Sequence, residues 1–248
     1  MAGSRGAAAL IERLIIKLEL RDGLAAAERR DLEQMMSPPR RFSAGEDMVL
    51  QGSEPKESTL LLQGVAGRYT TLEDGRQQIT AVHLPGDFVD LHSFLIRKMD
   101  HSIAALTDCV IATAPHAALR AATDASPHLG RLLWLSTLID AAIHRMWLVS
   151  MGRRTSAAQL AHLLCELLVR LRVVGLARDN AFEFGLSQAQ LANVLGLSTV
   201  HVNRVLQELR GRGLVAWAGS RVEILDWDGL VKAAEFDPTY LQLEPTPV

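Results

Sequence analysis

The stretch Leu186-Ser187-Gln188-Ala189-Gln190-Leu191-Ala192-Asn193-Val194-Leu195-Gly196-Leu197-Ser198-Thr199-Val200-His201-Val202-Asn203-Arg204-Val205-Leu206-Gln207-Glu208-Leu209 sets the reading of the whole chain. Ser187 followed three positions later by Gln190 is a capping box, in which each side chain serves a backbone N–H that the first helical turn leaves unpaired. A helix is expected to start there and run to Leu195. Gly196 then supplies the left-handed residue that closes a helix, a conformation that costs glycine little and other residues more. Ser198 caps a second helix with Val202, Val205, Leu206 and Leu209 on one face. Ala192 is small where the two helices must touch. Two short helices, a tight glycine turn and a shared apolar core make a helix-turn-helix.

With its apolar face committed, the second helix is left with Thr199, Val200, His201, Asn203 and Arg204 near its N-terminal end. Arginine forks onto guanine O6 and N7, asparagine pairs with adenine N6 and N7, and these five are the expected base-reading residues. Helix N-termini attract phosphate, so Ser187, Gln188 and Ser198 are the expected phosphate contacts. Downstream, Leu214 to Trp217 and Arg221 to Leu225 are β runs about a Gly219-Ser220 turn, a hairpin or wing. The alternative is a helical hairpin with no DNA role, as in a ligand-sensing β-roll protein whose helix-turn-helix serves protein contact.

Charge supports the same segment. Of 26 Lys+Arg and 28 Asp+Glu, residues 153–221 hold 9 basic against 4 acidic, whereas residues 1–152 hold 16 against 18 and residues 222–248 hold 1 against 6. One basic module in a nearly neutral chain fits local binding of nucleic acid and excludes coating by overall charge.

Working outward, the 248 residues, 48% of them apolar, suffice for two ordinary domains. Residues 38 to about 115 carry short apolar or β-favouring runs (Met48–Leu50, Thr59–Leu62, Arg68–Leu72, Ile79–Leu84, Ile103–Leu106, Val110–Thr113) punctuated by Gly45, Gly52, Gly64, Gly75 and Gly86. Glycines about every ten residues mark the corners of a compact β-barrel or jelly roll. Before it, Leu10, Ile11, Leu14, Ile15 and Leu18 fall at helical spacing, and Pro38-Pro39 ends the helical segment. After it, Pro127 opens a long helix. There Leu132, Leu135, Ile139, Ala142, Met146 and Val149 are spaced 3-4-3-4-3, an a/d seam expected to pair with a second copy of the chain. A second stripe, Trp134, Leu138, Ala141 and Leu148, lies on another face, so that one face can lie on the β-barrel; the alternative is a core helix inside a monomer. Residues 153 to 174 read as a further helix burying Leu160, Leu163, Leu164, Leu167, Leu168 and Leu171. The expected organisation is 1–37 helical, 38–126 β-roll, 127–152 dimerisation helix, 153–240 winged helix-turn-helix and 241–248 tail. The fold class is α+β.

Two cysteines, Cys109 and Cys165, make neither a disulfide framework nor a thiolate metal site, and a reducing cytoplasm is the expected compartment. No stretch reaches the ~18 consecutive apolar residues of a membrane span, so no membrane partner is expected. No phosphate-binding glycine loop, paired zinc-ligand helix or nucleophile elbow is present, so no enzyme is expected.

In this order of parts, and in Gly45-Glu46, Gln51-Gly52, Pro85-Gly86-Asp87-Phe88 and Leu186 to Leu209, the chain resembles the CRP/FNR superfamily of bacterial transcription regulators over nearly its whole length. Gly152-Arg153-Arg154-Thr155 looks like that family's hinge. The resemblance implies a double-stranded β-helix sensor domain and a homodimer on a two-fold symmetric DNA site, recruiting or blocking RNA polymerase. It also implies an effector pocket, here drawn from Asp87, Leu91, His92, Arg97, His101, Ser102 and His144. In the cyclic-AMP-binding members a Glu holds the ribose hydroxyl and an Arg-Ser pair the cyclic phosphate. Aligned without gaps, the Glu falls on Leu91 and the Arg on His101, with Ser102 retained. Leucine accepts no hydrogen bond and a neutral histidine is no bidentate cation, so roughly 1.5–3 kcal/mol is lost per charge-assisted bond and cyclic AMP in the usual pose is not expected. Arg97 and Lys98 are either another anion site or an exposed basic pair. The four-cysteine iron–sulfur cluster of the fumarate–nitrate branch is not expected. Haem stays open through His83, His92, His101 or His144, each with an ordinary structural role as its alternative; no metal site is expected, and the absence of any effector is a further alternative. Val200 stands where the prototypes carry a cytosine-reading Glu, while Arg204 aligns with their guanine-reading Arg.

Overall fold

The computed structural model describes the backbone of residues 2–245 and the side chains of residues 11–245. The side chain of Leu10 and residues 246–248 of the expected tail lie outside the described residues. The chain forms two compact units, divided within the long helix between Ala141 and Ala142, with residues 70–81 grouped with the second.

The first unit opens with helices α1 (Ala2–Glu19) and α2 (Ala26–Met35). Strands β1 (Arg40–Phe42), β2 (Asp47–Val49), β3 (Glu57–Gln63), β4 (Ala66–Thr71), β5 (Gln77–His83), β6 (Ser102–Ala105) and β7 (Cys109–Pro115) follow. They form two sheets, ordered β1-β7-β3 and β2-β6-β4-β5, with Thr59 opposite Thr113 in the first and Arg68 opposite Ile103 in the second. Successive side chains of a strand point to opposite faces, and β3 uses both. Leu60 and Leu62 join Ile11, Leu14, Ile15 and Leu18 of α1, whereas Leu61 enters the roll with Ile103, Cys109 and Ile111. One corner allows only glycine: Gly64 has φ +89°, and a Cβ there would lie 2.3 Å from the Asp108 carbonyl.

Helix α3 (His116–Ala125) is absent from the sequence reading. It is alanine-rich and buries only Leu119 and Ala122, too little for a periodic signal. Helix α4 (Pro127–Arg153) is the long helix expected from Pro127 onward. Of the expected seam, one residue is turned inward. Leu132 is 1% exposed and packs in its own protomer's core with Leu129 and Leu133. Leu135, Ile139, Ala142 and Met146 are half-buried, and of the six seam residues only Val149 is exposed. The outermost ridge is the second stripe, in which Trp134, Leu138 and Leu148 are 65%, 47% and 66% exposed. With Ala141 and Arg145 it has its own 4-3-4-3 spacing, so periodicity alone does not choose between the two stripes. By length and composition α4 is also apolar enough to cross a membrane, with a window of mean hydropathy 1.3, although no run of consecutive apolar residues reaches that length.

The second unit continues with α5 (Ser156–Val173), β8 (Ala177–Arg178), β9 (Ala181–Glu183), α6 (Gln188–Leu195), α7 (Thr199–Gly211), β10 (Val215–Ala218), β11 (Arg221–Ile224) and α8 (Trp227–Ala234). The expected hairpin β10–β11 sits at the edge of a four-stranded sheet ordered β10-β11-β9-β8. Strands β8 and β9, two and three residues long, carry no signal of their own. Helix α5 is buried nearly all round, because α6, α7, α8 and β9 all pack on it. Its Cys165 and the first unit's Cys109 are buried, and burial pushes their thiols up to about 12 and about 11, so both stay protonated at neutral pH.

Buried Glu166 on α5 accepts from Tyr240 Oη (2.7 Å), Arg170 Nη1 (2.9 Å) and Trp147 Nε1 (3.2 Å), joining α4, α5 and the C-terminal segment. One turn earlier His162, 1% exposed, packs edge-on to the ring of Phe236 (5.3 Å) and stacks on that of Tyr240 (5.9 Å).

Candidate nucleic-acid interface and sensor site

The helix-turn-helix is built as its caps dictate. Ser187 Oγ accepts from the Gln190 amide (3.2 Å) while Gln190 Oε1 accepts from the Ser187 amide (2.8 Å). Gly196 closes α6 at φ +66°, and Ser198 Oγ accepts from the His201 amide (3.3 Å) to open α7. Val202, Val205, Leu206 and Leu209 are buried, which locks the rotation of α7 about its axis. That rotation leaves Ser198, Thr199, Val200 and Arg204 exposed, with Val200 at 78%, and His201 and Asn203 half-exposed. Ser187 and Gln188 are exposed beside them at the start of α6.

Two contacts organise this surface. Arg204 Nη2 lies 2.9 Å from His201 Nε2, one helical turn away, and Asn203 Nδ2 donates to Gln188 Oε1 at 2.7 Å. Gln188 and Asn203, expected to touch phosphate and base separately, therefore form one unit in the free protein. Two further residues carried no sequence signal. Gln78, at the start of β5, donates to the Asn193 carbonyl (2.8 Å) in the last turn of α6, where carbonyls lack intrahelical partners. Arg210 donates to the Trp217 carbonyl, fixing the base of the wing to α7.

In the first unit the expected pocket residues divide. His92 and His101 come together, with ring centroids 5.0 Å apart, and His101 Nδ1 lies 2.6 Å from Asp100 Oδ1. Their neighbour is Arg68 of β4, which the sequence reading did not include. It is nearly buried, donates to the Val89 carbonyl (3.2 Å) and pairs with Asp140 of α4 at 3.0 Å. Burial first, and Arg68 second, hold both imidazoles neutral: His92 is pushed down to about 4 and His101 is lowered. Asp90, on the same segment, is raised to about 7 by burial, against the hydrogen bonds it accepts from Thr59.

Other members of the expected pocket have structural work. Asp87 accepts from the Leu84 amide (2.8 Å) and pairs with Lys17, closing the Pro85-Gly86 turn against α1. Leu91 packs on the helical core, and Ser102 Oγ accepts from the Gln51 amide at 2.9 Å. Arg97 and Lys98 are exposed in a loop. His83 is buried, and His144 is half-buried on α4.

Family models agree with this division. Residues 39–126 match the cyclic nucleotide-binding domain and residues 158–233 the Crp-like helix-turn-helix domain. The nitrogen fixation regulation protein FixK of Bradyrhizobium diazoefficiens is 30% identical over 208 residues, 82% of this chain and 84% of the relative. The transcriptional activator protein FnrL of Cereibacter sphaeroides is 27% identical over 202 residues, 80% and 81% of the two chains. Among solved structures, FixK2 from Bradyrhizobium japonicum shares the fold with a TM-score of 0.71 and 22% identity, covering 79% of this chain and 96% of that one. The two domain matches lie on one chain in this order, and with a FixK relative 30% identical over 82% of its length the chain belongs to the CRP/FNR family of transcription regulators.

Proposed function

We propose that the protein is a sequence-specific DNA-binding regulator that acts as a homodimer on a two-fold symmetric site in the cytoplasm. The observation that carries this reading is the exposed N-terminal end of α7, where Thr199, Val200 and Arg204 point outward while four apolar residues anchor the opposite face. Thr199, His201, Asn203 and Arg204 read base edges. Val200 can meet a thymine methyl but cannot accept from cytosine N4, so preference at its base pair departs from that of the prototypes. Ser187, Gln188 and Ser198 set register on the phosphates. The Trp134–Leu138–Leu148 ridge of α4, continued by Val149, pairs with its copy, because a soluble chain seldom leaves such a row open. Two recognition helices about 34 Å apart then enter successive major grooves.

Signal input lies in the β-roll and output in contacts with RNA polymerase, with the effector biasing one of two dimer arrangements. Cyclic AMP in the usual pose does not suit this pocket: Leu91 is turned to the core and His101 stands in place of a permanent cation. Selection of bound sites from random duplexes tests the reading. A palindromic consensus is expected, and Arg204→Ala should cost ~1–3 kcal/mol on it while relaxing one base pair per half-site. Sequence-indifferent, strongly salt-dependent binding would instead give the helix-turn-helix to protein contact.

A further inference from the structure

We propose that His92 and His101 form a binding site for a divalent first-row transition ion, with Asp100 as the carboxylate that orients His101. One potential ligand atom from each of His92, Asp100 and His101 lies within 4.8 Å of the other two. A second observation is independent of that spacing. His92 Nε2 and His101 Nε2 are both buried atoms without a hydrogen-bond partner among the described residues, and His101 as a whole is only 7% exposed. Buried polar atoms are nearly always satisfied, so two unsatisfied imidazole nitrogens on adjacent rings call for a shared partner.

The chemistry selects a metal ion over an anion. With His101 Nδ1–H donating to Asp100, Nε2 carries a lone pair and has no proton to offer an anion. A carboxylate on one nitrogen of a histidine that ligates through the other is the usual arrangement around zinc and its neighbours. Two imidazoles suit zinc, iron, cobalt or nickel, whereas magnesium and calcium prefer oxygen donors. Arg68 is paired with Asp140 at 3.0 Å, which offsets part of its charge toward the ion.

The placement gives the ion a structural consequence. His92 lies in the short 3₁₀ turn Leu91–Phe94 and His101 immediately precedes β6, so one ion closes the segment between them. That segment carries Leu95 and Ile96, 77% and 51% exposed, and the exposed pair Arg97 and Lys98. That this closure is the regulator's input rests on the DNA-binding reading above; metal binding itself is measured without DNA.

The test uses the full-length protein stripped with chelator and then given Zn²⁺ or Co²⁺ alone. One ion per chain is expected by equilibrium dialysis with elemental analysis, and Co²⁺ should give visible d–d absorption. His92→Ala and His101→Ala should each abolish that band, and Asp100→Asn should weaken binding by about 10- to 100-fold. Imidazole nitrogen resonances of the unmodified protein, followed during Zn²⁺ titration, report on both rings without relying on the folding of a variant. Binding that survives both histidine variants, or imidazole signals that do not move with Zn²⁺, would overturn the assignment. So would haemin binding with a Soret band lost in the same variants, which would make the pair haem ligands.

Discussion

Replacing Arg170 by Met should destabilise the second unit far more than any surface ion pair suggests. Glu166 is 0% exposed and Arg170 is the cation beside it, at 2.9 Å, with its own side chain only 11% exposed. Little water reaches the pair to screen it. Removing the guanidinium leaves a buried carboxylate whose remaining hydrogen-bond donors among the described residues are the neutral Trp147 and Tyr240. Breaking a buried pair from one side costs about 3–5 kcal/mol, because a charge remains without its counter-charge. The Arg212–Glu208 pair has the same i,i+4 spacing, but both side chains are about half exposed and they lie 3.8 Å apart; its loss should cost only about 0.3–0.5 kcal/mol. Urea unfolding followed by tryptophan fluorescence reads the difference, since Trp147 is itself a partner of Glu166. Adding Glu166→Gln to Arg170→Met removes the stranded charge and should restore most of the loss. A single variant that loses under about 1 kcal/mol, or a double variant less stable than the single, would refute the assignment of a charged, mutually dependent cluster.

Other consequences are equally open to measurement. His162 is buried and its pKa is lowered from 6.5 to about 4, by burial first and Arg154 second. The unfolded chain therefore binds the extra proton between those values. The stability due to the neutral ring is complete above about pH 6.5 and falls as pH drops toward 4, by at most ~1.4 kcal/mol per pH unit. His162→Phe keeps a ring against Phe236 and Tyr240 and should flatten that part of the pH–stability curve; an unchanged slope would contradict the burial account. Gly196→Ala forces an L residue to φ +66° and should cost about 1–2 kcal/mol in denaturant unfolding, weakening DNA binding without changing the preferred site. Leu138→Glu should yield a folded monomer by analytical ultracentrifugation, whereas Leu132→Glu should unfold the first unit; a folded, dissociated Leu132→Glu protein would restore the original seam.

The two halves of the chain were not equally legible. The helix-turn-helix could be read residue by residue because its signals are local. A cap hydroxyl meets an amide three residues on, a glycine turns the chain, and apolar side chains recur within two turns. Gln78 and Arg210, which brace the same motif, escaped notice because nothing in their neighbourhood marks a partner 115 residues away or across a hairpin.

Sequence alone therefore determined the order of the parts, the start and stop of α6, the start of α7, the glycine-cornered roll and which side chains of α7 are left outside its apolar face, since each depends on neighbours along the chain. Tertiary structure alone decided that Leu132 of α4 turns into the core while Trp134, Leu138 and Leu148 stay exposed, because a helix apolar on two sides turns inward whichever face its neighbours can cover. It also decided that His92 and His101 meet beside Arg68, and that Glu166 gathers donors from three segments. Groups with no local partner are satisfied only by what folding brings to them, and that information lies in packing and not in spacing.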